Sequence, residues 1–477
     1  MLANKTLSTL IRNVCIRRNF CLSQKILREN IGVKCGVSAK QSKPIHTNKE
    51  RFLQASAKSL KSERLGSMLQ IKTEISNVRV LPDKTELVIE WIDGHESLFQ
   101  ASWLRFHCFC PSCYSSADGL YKIDIERFKK NLTISSTSWN QSEQVLKVHF
   151  DNDVPSNHVA LLPYDWLREN CYCDVCLKQK LSDRDVITKN SQKPKKMPVV
   201  DYDEIKDNPD QFLFDFMHHT FEVGYCKILN FPKEDELFMK FAESLGPVES
   251  NPYGYYNGTY FDDVKNAGAV DNVGQTNVDL PFHQDYRYVD TCGQTILHNC
   301  IRFDDCVKGG ESIMVDLFQV AEILRDESPE DFKVMTKVPV IYENVNSNKR
   351  HFQIQKTHIE VDYNGKVTSC LWSGDLRPRL QVRQSDVTRY YKAHKKLSEI
   401  MKREELHIRF RHVTGSLVAM NNRRMVHKRT QFESNGGVRH FKQLSLHTAF
   451  MRNNYMLLAK KLGRVVSPPM TGNGSFF

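Results

Sequence analysis

The apolar positions of this chain change period along its length, and the changes divide it. Between residues 75 and 185 they alternate. Thr85 to Trp91 and Gln144 to Phe150 both show the period of two expected of a half-buried strand, with Leu87, Ile89 and Trp91 on one face of the first and Leu146, Val148 and Phe150 on one face of the second. Each run is followed by a turn and a further strand that leads into a Trp-Leu-Arg sequence, which predicts a small β-rich domain. Residues 186–198, with the run Lys193-Pro194-Lys195-Lys196, lose both periods and read as a linker. Beyond it, from Asp201 to Gly224, Leu213, Phe216, Met217 and Phe221 recur at helical spacing before a strand at Tyr225 to Asn230. Short strands then dominate, interrupted by amphipathic helices at Leu317 to Arg325 and Val387 to Met401. The expected class is α+β, with a double-stranded β-helix, or jelly roll, over residues 199–465, preceded by the small β-rich domain at 75–185.

The first domain is duplicated. Trp103, Leu104, Arg105, Cys108, Cys110 and Cys113 reappear as Trp166, Leu167, Arg168, Cys171, Cys173 and Cys176, and His95 as His158, always 63 residues apart. Six of the fourteen cysteines fall in these two C-x-C-x2-C knuckles, and the other eight are scattered singly as small buried hydrophobes would be. Three thiolates on a tight turn reach one ion, and a tetrahedral zinc site needs a fourth ligand. If the copies pack about a pseudo-twofold axis, His158 completes Cys108, Cys110 and Cys113. The same symmetry would pair His95 with Cys171, Cys173 and Cys176 around a second zinc. The alternative for the second triad is a set of packing cysteines left over once one metal anchors the pair.

Charge alters the picture at one end. The net charge is +11, but residues 1–49 hold ten Lys/Arg against the single acid Glu29, which leaves the rest nearly neutral. An Arg-rich, acid-poor amphipathic leader reads as a transit peptide and predicts a mitochondrial matrix location. Without it there is no chain-wide basic surface, so no nucleic acid partner is expected. No run approaches the apolar length of a membrane span. With 40% apolar and 26% charged residues, the composition is that of an ordinary globular protein large enough to bury sizeable cores.

The second domain carries candidate redox chemistry. His283 and Asp285, two apart, point to one face of a strand. His427 lies 144 residues beyond His283, after a β-type run at Leu417 to Met420, and Arg439 follows twelve residues later. Two imidazoles and one carboxylate on one side of an ion form the facial triad of non-haem Fe(II) oxygenases, whose open positions take a 2-oxoacid and then O2. The Arg439 guanidinium suits the distal carboxylate of 2-oxoglutarate, a planar fork meeting a planar anion. Ser312, in the Gly309-Gly310 to Asp316 stretch, could add a hydroxyl there.

These features together resemble the γ-butyrobetaine dioxygenase and trimethyllysine dioxygenase family: the H-x-D of Leu280 to Tyr286, the Gly309 to Asp316 stretch, the Asn422-x-Arg424-x-x-His427-x-Arg429 block, the Arg439-His440-Phe441 strand and the upstream knuckle. The resemblance spans about residues 75 to 465. It implies a zinc domain followed by a jelly-roll oxygenase, with iron on His283, Asp285 and His427, the co-substrate 2-oxoglutarate on Arg439, and zinc on Cys108, Cys110, Cys113 and His158. It further implies ascorbate as reductant, a possible homodimer, and hydroxylation of a trimethylammonium metabolite of carnitine synthesis. Such a substrate is held by an aromatic cage. Tyr253 and Tyr286 match two cage positions, whereas Asn257 (or Tyr260, if a gap is allowed), Gln275 and Ser445 stand where the family has Trp or Tyr. Gln284, Arg423 and Lys428 also depart from the family's motifs.

Overall fold

A computed structural model describes residues 73–124, 126, 131–182, 196–252, 257–261, 273–289, 293–346, 350–374, 379–464 and 466. The leader and most of the linker fall outside them.

Residues 75–182 contain the same arrangement twice. Ile75–Val80, Glu86–Trp91 and Glu96–Gln100 form an antiparallel sheet followed by the helix Ala101–Phe106; Thr133–Asn140, Val145–Asp151 and Val159–Pro163 form another, followed by the helix Tyr164–Glu169. The Trp-Leu-Arg sequences lie in these short helices, each with a cysteine knuckle at its end. The first strand of each copy was not evident from the periodicity. Ile75–Val80 buries little beyond Ile75, and Thr133–Asn140 is mostly exposed, so neither strand alternates cleanly. The inward rows of both copies, Leu87, Ile89, Trp91 and Phe99 with Leu146, Val148, Ala160 and Leu162, share one core. At its centre the repeat-equivalent Trp103 and Trp166 stack on each other with centroids 5.1 Å apart, as residues beside a pseudo-twofold axis must. A buried ion pair between Arg105 and Asp153 (2.6 Å) ties the first helix to the second copy.

The rest of the chain is layered. The larger sheet runs in the order Val248–Glu249, Arg439–Leu446, Thr295–Phe303, Ser416–Asn421, Tyr225–Leu229, Val199–Asp201, with Asn257–Phe261 also paired to Arg439–Leu446. The smaller runs Leu280–His283, Met425–Arg429, Ser312–Asp316, Ile408–Phe410. Strand alternation determines what each face meets. Leu297, Leu417, Ala419, Leu444 and Leu446 pack against the helices Pro209–Glu222, Asp235–Leu245 and Thr448–Lys461. On the opposite face Ile296 and Met420 meet Met314 and Met425 of the smaller sheet. That sheet's outer face, Ile313, Val315 and Val426, is covered by the helices Leu317–Glu327, Pro329–Lys337 and Gln384–Met401. Two sheets face to face with helices outside are the expected double-stranded β-helix.

Local chemistry sets the helix boundaries. Pro209 opens its helix at N1 and Asn208 caps it, its Oδ1 accepting from Gln211 N (3.1 Å). Asp316 caps Leu317–Glu327 by accepting from Phe318 N (3.0 Å) and also pairs with Arg424 (2.6 Å). One carboxylate thus ends a strand, starts a helix and fixes the turn before His427.

Removing one member of a buried ion pair strands the other charge, so Asp153→Ala is expected to lower unfolding free energy by about 3–5 kcal/mol in guanidinium titration. A midpoint equal to wild type would contradict the role given to this pair.

Candidate active site and metal centres

Strand register brings the two distant histidines together. His283 is paired directly with His427, and Leu280 with Arg429, with a bulge between that gives the first strand one extra residue. The two imidazole rings are 4.4 Å apart at their centroids. Asp285 follows immediately, its two carboxylate oxygens each 3.8 Å from a ring Nε2, one on His283 and one on His427. The three ligand atoms lie within 4.8 Å of one another, a donor set able to hold one ion.

Neighbouring groups hold these side chains in place. His283 Nδ1 is 2.8 Å from the Pro281 carbonyl, so a proton there leaves the Nε2 lone pair facing the site. The Asp285 backbone is clasped by Asn422, whose Oδ1 accepts from Asp285 N (3.0 Å) and whose Nδ2 donates to Asp285 O (2.7 Å). Gln284 points the other way, its amide spent on Cys370 O and Trp372 N, so its departure from the family motif does not reach the face shared by His283 and Asp285.

Two site residues were missed by sequence reasoning. Gln443 Nε2 donates to Asp285 Oδ2 (2.9 Å), and His298 Nε2 lies 3.9 Å from the same oxygen. Both come from the larger sheet, where they are register partners on adjacent strands. The signal was present in the alternation: His298 interrupts the row Ile296, Cys300, and Gln443 continues the row Arg439, Phe441. Burial holds the His298 and His427 imidazoles below their usual range, which keeps them neutral. Burial acts to raise the Asp285 carboxyl, but His427, His283 and His298 outweigh it, and the net shift is downward.

Arg439 is buried on the inward face of the same strand as Gln443. Its guanidinium lies over the rings of Phe441 (4.2 Å), Phe303 (5.3 Å) and Phe432 (5.3 Å). Its Nε has no hydrogen-bond partner, and it forms no salt bridge among the described residues. Burial, with Arg429 and Arg411 nearby, pushes it down to about 9, which still leaves a cation at neutral pH. Gly310 backs onto it: a Cβ there would stand 3.4 Å from Arg439 Nε. Ser312 lies two residues on, in the strand paired with Arg429.

The cage positions are placed less uniformly. Tyr253 lies outside the described residues. Tyr286, at φ 50°, is buried in the cluster with Tyr225, Ile296 and Met314. Gln275 is half-buried in a short 3-10 turn. Ser445 is fully buried on the inward row, its hydroxyl without a partner among the described residues.

Both cysteine knuckles converge on an imidazole from the other copy. Cys108, Cys110 and Cys113 surround His158 Nε2, and Cys171, Cys173 and Cys176 surround His95 Nε2.

Comparison with known proteins gives this geometry a family. Residues 190–444, more than half of the chain, match the taurine catabolism dioxygenase TauD, TfdA family. The chain belongs to that family. It is a 2-oxoglutarate-dependent dioxygenase, of a class that works with Fe(II). Residues 78–157 match the γ-butyrobetaine hydroxylase-like N-terminal family, and Cys171, Cys173 and Cys176 lie between the two matched segments. Human γ-butyrobetaine dioxygenase is 24% identical over 352 residues, 72% of this chain and 87% of its own length. Trimethyllysine dioxygenase of Meyerozyma guilliermondii is 25% identical over 374 residues, covering 74% and 90%. Among solved structures, PvcB of Pseudomonas aeruginosa aligns at 13% identity and a TM-score of 0.41, over 54% of this chain and 88% of that one. Among the described residues no helix is long and apolar enough to cross a membrane.

Gln443→Leu removes the donor that orients Asp285 and is expected to weaken Fe(II) binding about 10–100-fold in an anaerobic titration. Unchanged affinity would show that the amide does not support the site.

Proposed function

We propose that this chain is a hydroxylase of a small trimethylammonium metabolite in carnitine biosynthesis, with γ-butyrobetaine the first candidate, and that it works in the mitochondrial matrix after loss of its basic leader. The observation that carries the reading is a buried cation, Arg439, without a counter-ion among the described residues, on the same strand face as the group that orients Asp285. A buried guanidinium lacking a protein carboxylate suits a ligand that supplies one.

In this reading His283, Asp285 and His427 would hold iron as two imidazoles and one carboxylate. Bound Fe(II) supplies O2 activation, coupling decarboxylation of 2-oxoglutarate to succinate with hydroxylation of a C–H bond. The remaining roles belong to the protein. Arg439 forks onto the distal carboxylate of 2-oxoglutarate, and Phe303, Phe432 and Phe441 exclude water around that contact, which strengthens it. The absent Cβ of Gly310 leaves the guanidinium room, and Ser312 offers a hydroxyl beside it. His298, neutral, and Gln443 orient what lies against Asp285. No side chain is assigned as a general base. Tyr253 and Tyr286 contribute to the trimethylammonium cage. Residues 75–185 form a separate domain stapled by zinc on Cys108, Cys110, Cys113 and His158, and residues 199–465 the oxygenase.

One observation favours a second substrate, trimethyllysine or a relative of it. Ser445 replaces a cage Tyr and keeps a buried hydroxyl without a partner on the inward row, suited to a substrate with a further polar group.

Incubation with Fe(II), ascorbate, 2-oxoglutarate and a panel of quaternary amines decides between these. Succinate is expected to form in step with one amine gaining a single oxygen atom, and His283→Ala is expected to abolish both. Succinate without a hydroxylated amine would exclude the substrate class, and no succinate at all would exclude the assignment. Arg439→Gln is expected to cost about 2–5 kcal/mol of 2-oxoglutarate binding, read as a rise in its KM; an unchanged KM would remove Arg439 from the co-substrate site.

A further inference from the structure

We infer that His95, Cys171, Cys173 and Cys176 hold a second zinc ion, so that the two copies of the repeat are cross-clamped: each supplies three thiolates to one site and the imidazole to the other. The inference is independent of the iron reading, since it concerns the N-terminal repeat alone.

Distances carry the argument. Tetrahedral zinc with bonds of about 2.3 Å to sulfur and 2.0–2.1 Å to nitrogen places each sulfur about 3.5 Å from the imidazole nitrogen. His95 Nε2 lies 3.4 Å from Cys171 Sγ, 3.8 Å from Cys173 Sγ and 3.5 Å from Cys176 Sγ. For His158 the corresponding values are 3.3, 3.9 and 3.6 Å to Cys108, Cys110 and Cys113. The two sets match position by position, and both surround the expected value. Thiols retained only as packing have no reason to direct three sulfurs at one ring nitrogen.

The surrounding donors are duplicated as well. Arg168 Nη1 donates to Cys176 Sγ (3.3 Å) and Nη2 to Asp93 (3.2 Å), just as Arg105 donates to Cys113 Sγ (3.5 Å) and Asp153 (2.6 Å). A guanidinium on sulfur favours the thiolate, the form that binds metal, and a carboxylate holds that guanidinium in place. The Trp103–Trp166 stack shows that the axis relating the two sites is a physical feature of the packing. The sites differ in exposure. Cys173 is half-buried between exposed Tyr172 and Val175, so the second ion is nearer solvent than the first. Binding at either site displaces the thiol protons and links the halves, so metal affinity there contributes to folding free energy.

The test counts thiolate-bound zinc in the full chain. A mercurial reagent releases only zinc held by cysteines, and a chromogenic chelator measures it without interference from an ion at His283, Asp285 and His427. Two equivalents per folded chain are expected, with one retained in His95→Ala. Cobalt-substituted wild-type protein should likewise show thiolate charge-transfer absorption of two sites, a readout that requires no variant to fold. One equivalent in the zinc-saturated wild type, or two equivalents kept in a folded His95→Ala protein, would overturn the inference.

Discussion

The antiparallel pairing of Leu280–His283 with Met425–Arg429 is the contact on which the candidate active site depends. It places residues 144 apart in the chain opposite each other, and the period of two then decides that both imidazoles and the Asp285 carboxylate share one side. A slip of one residue would turn His427 toward the helices that cover the outer face. The register is held from the other side by Ser312–Asp316, in which Met314 opposes His427, and by the Asp316–Arg424 ion pair at the turn. The motif block Asn422 to Arg429 therefore holds the site in place as well as supplying His427: Asn422 clasps Asp285, Arg424 locks the turn and Arg429 is spent on backbone carbonyls of residues 274, 276 and 278.

What surrounds His283, Asp285 and His427 is an apolar interior broken by a few polar groups. Ile296, Met314, Met420 and Met425 form one dry patch and Cys300, Phe303, Phe432 and Phe441 another. His298, Arg439, Gln443 and Ser445 break into these rows. Placing a cation and an unpartnered hydroxyl in such a setting costs stability unless something completes them, and so the inter-sheet space is suited to an anionic co-substrate and a polar organic substrate. The N-terminal repeat faces a different constraint. It encloses a small core of its own, shared evenly between its two halves, and each half turns its cysteine knuckle onto an imidazole of the other.

Much of this could be read from the chain. His283 and Asp285 were legible because two residues on a strand share a face, and the knuckles because an offset of 63 repeats without exception. Distal His427 and Arg439 were legible through their spacing. His298 and Gln443 were not, because their function depends on which strands become neighbours, and that pairing is set by the whole sheet. The helices Asp235–Leu245 and Pro329–Lys337 went unread for another reason: each is short and lies among turns, although Phe238, Phe241, Ala242 and Leu245 do recur at helical spacing. The Trp-Leu-Arg sequences lie in helices of six residues, Ala101–Phe106 and Tyr164–Glu169, too short to show a helical period.

Every role proposed for the inter-sheet space depends on its binding iron on three side chains together with a 2-oxoacid on Arg439. Anaerobic addition of Fe(II) and 2-oxoglutarate to the purified chain measures this most directly, through the visible charge-transfer absorption of a 2-oxoacid chelated to Fe(II). One equivalent of Fe(II) should give the band in wild type, none should appear with His283→Ala, and Arg439→Gln should need far more 2-oxoglutarate to reach it. A wild-type protein that binds no Fe(II), or binds it without the band at any 2-oxoglutarate concentration, would contradict the account.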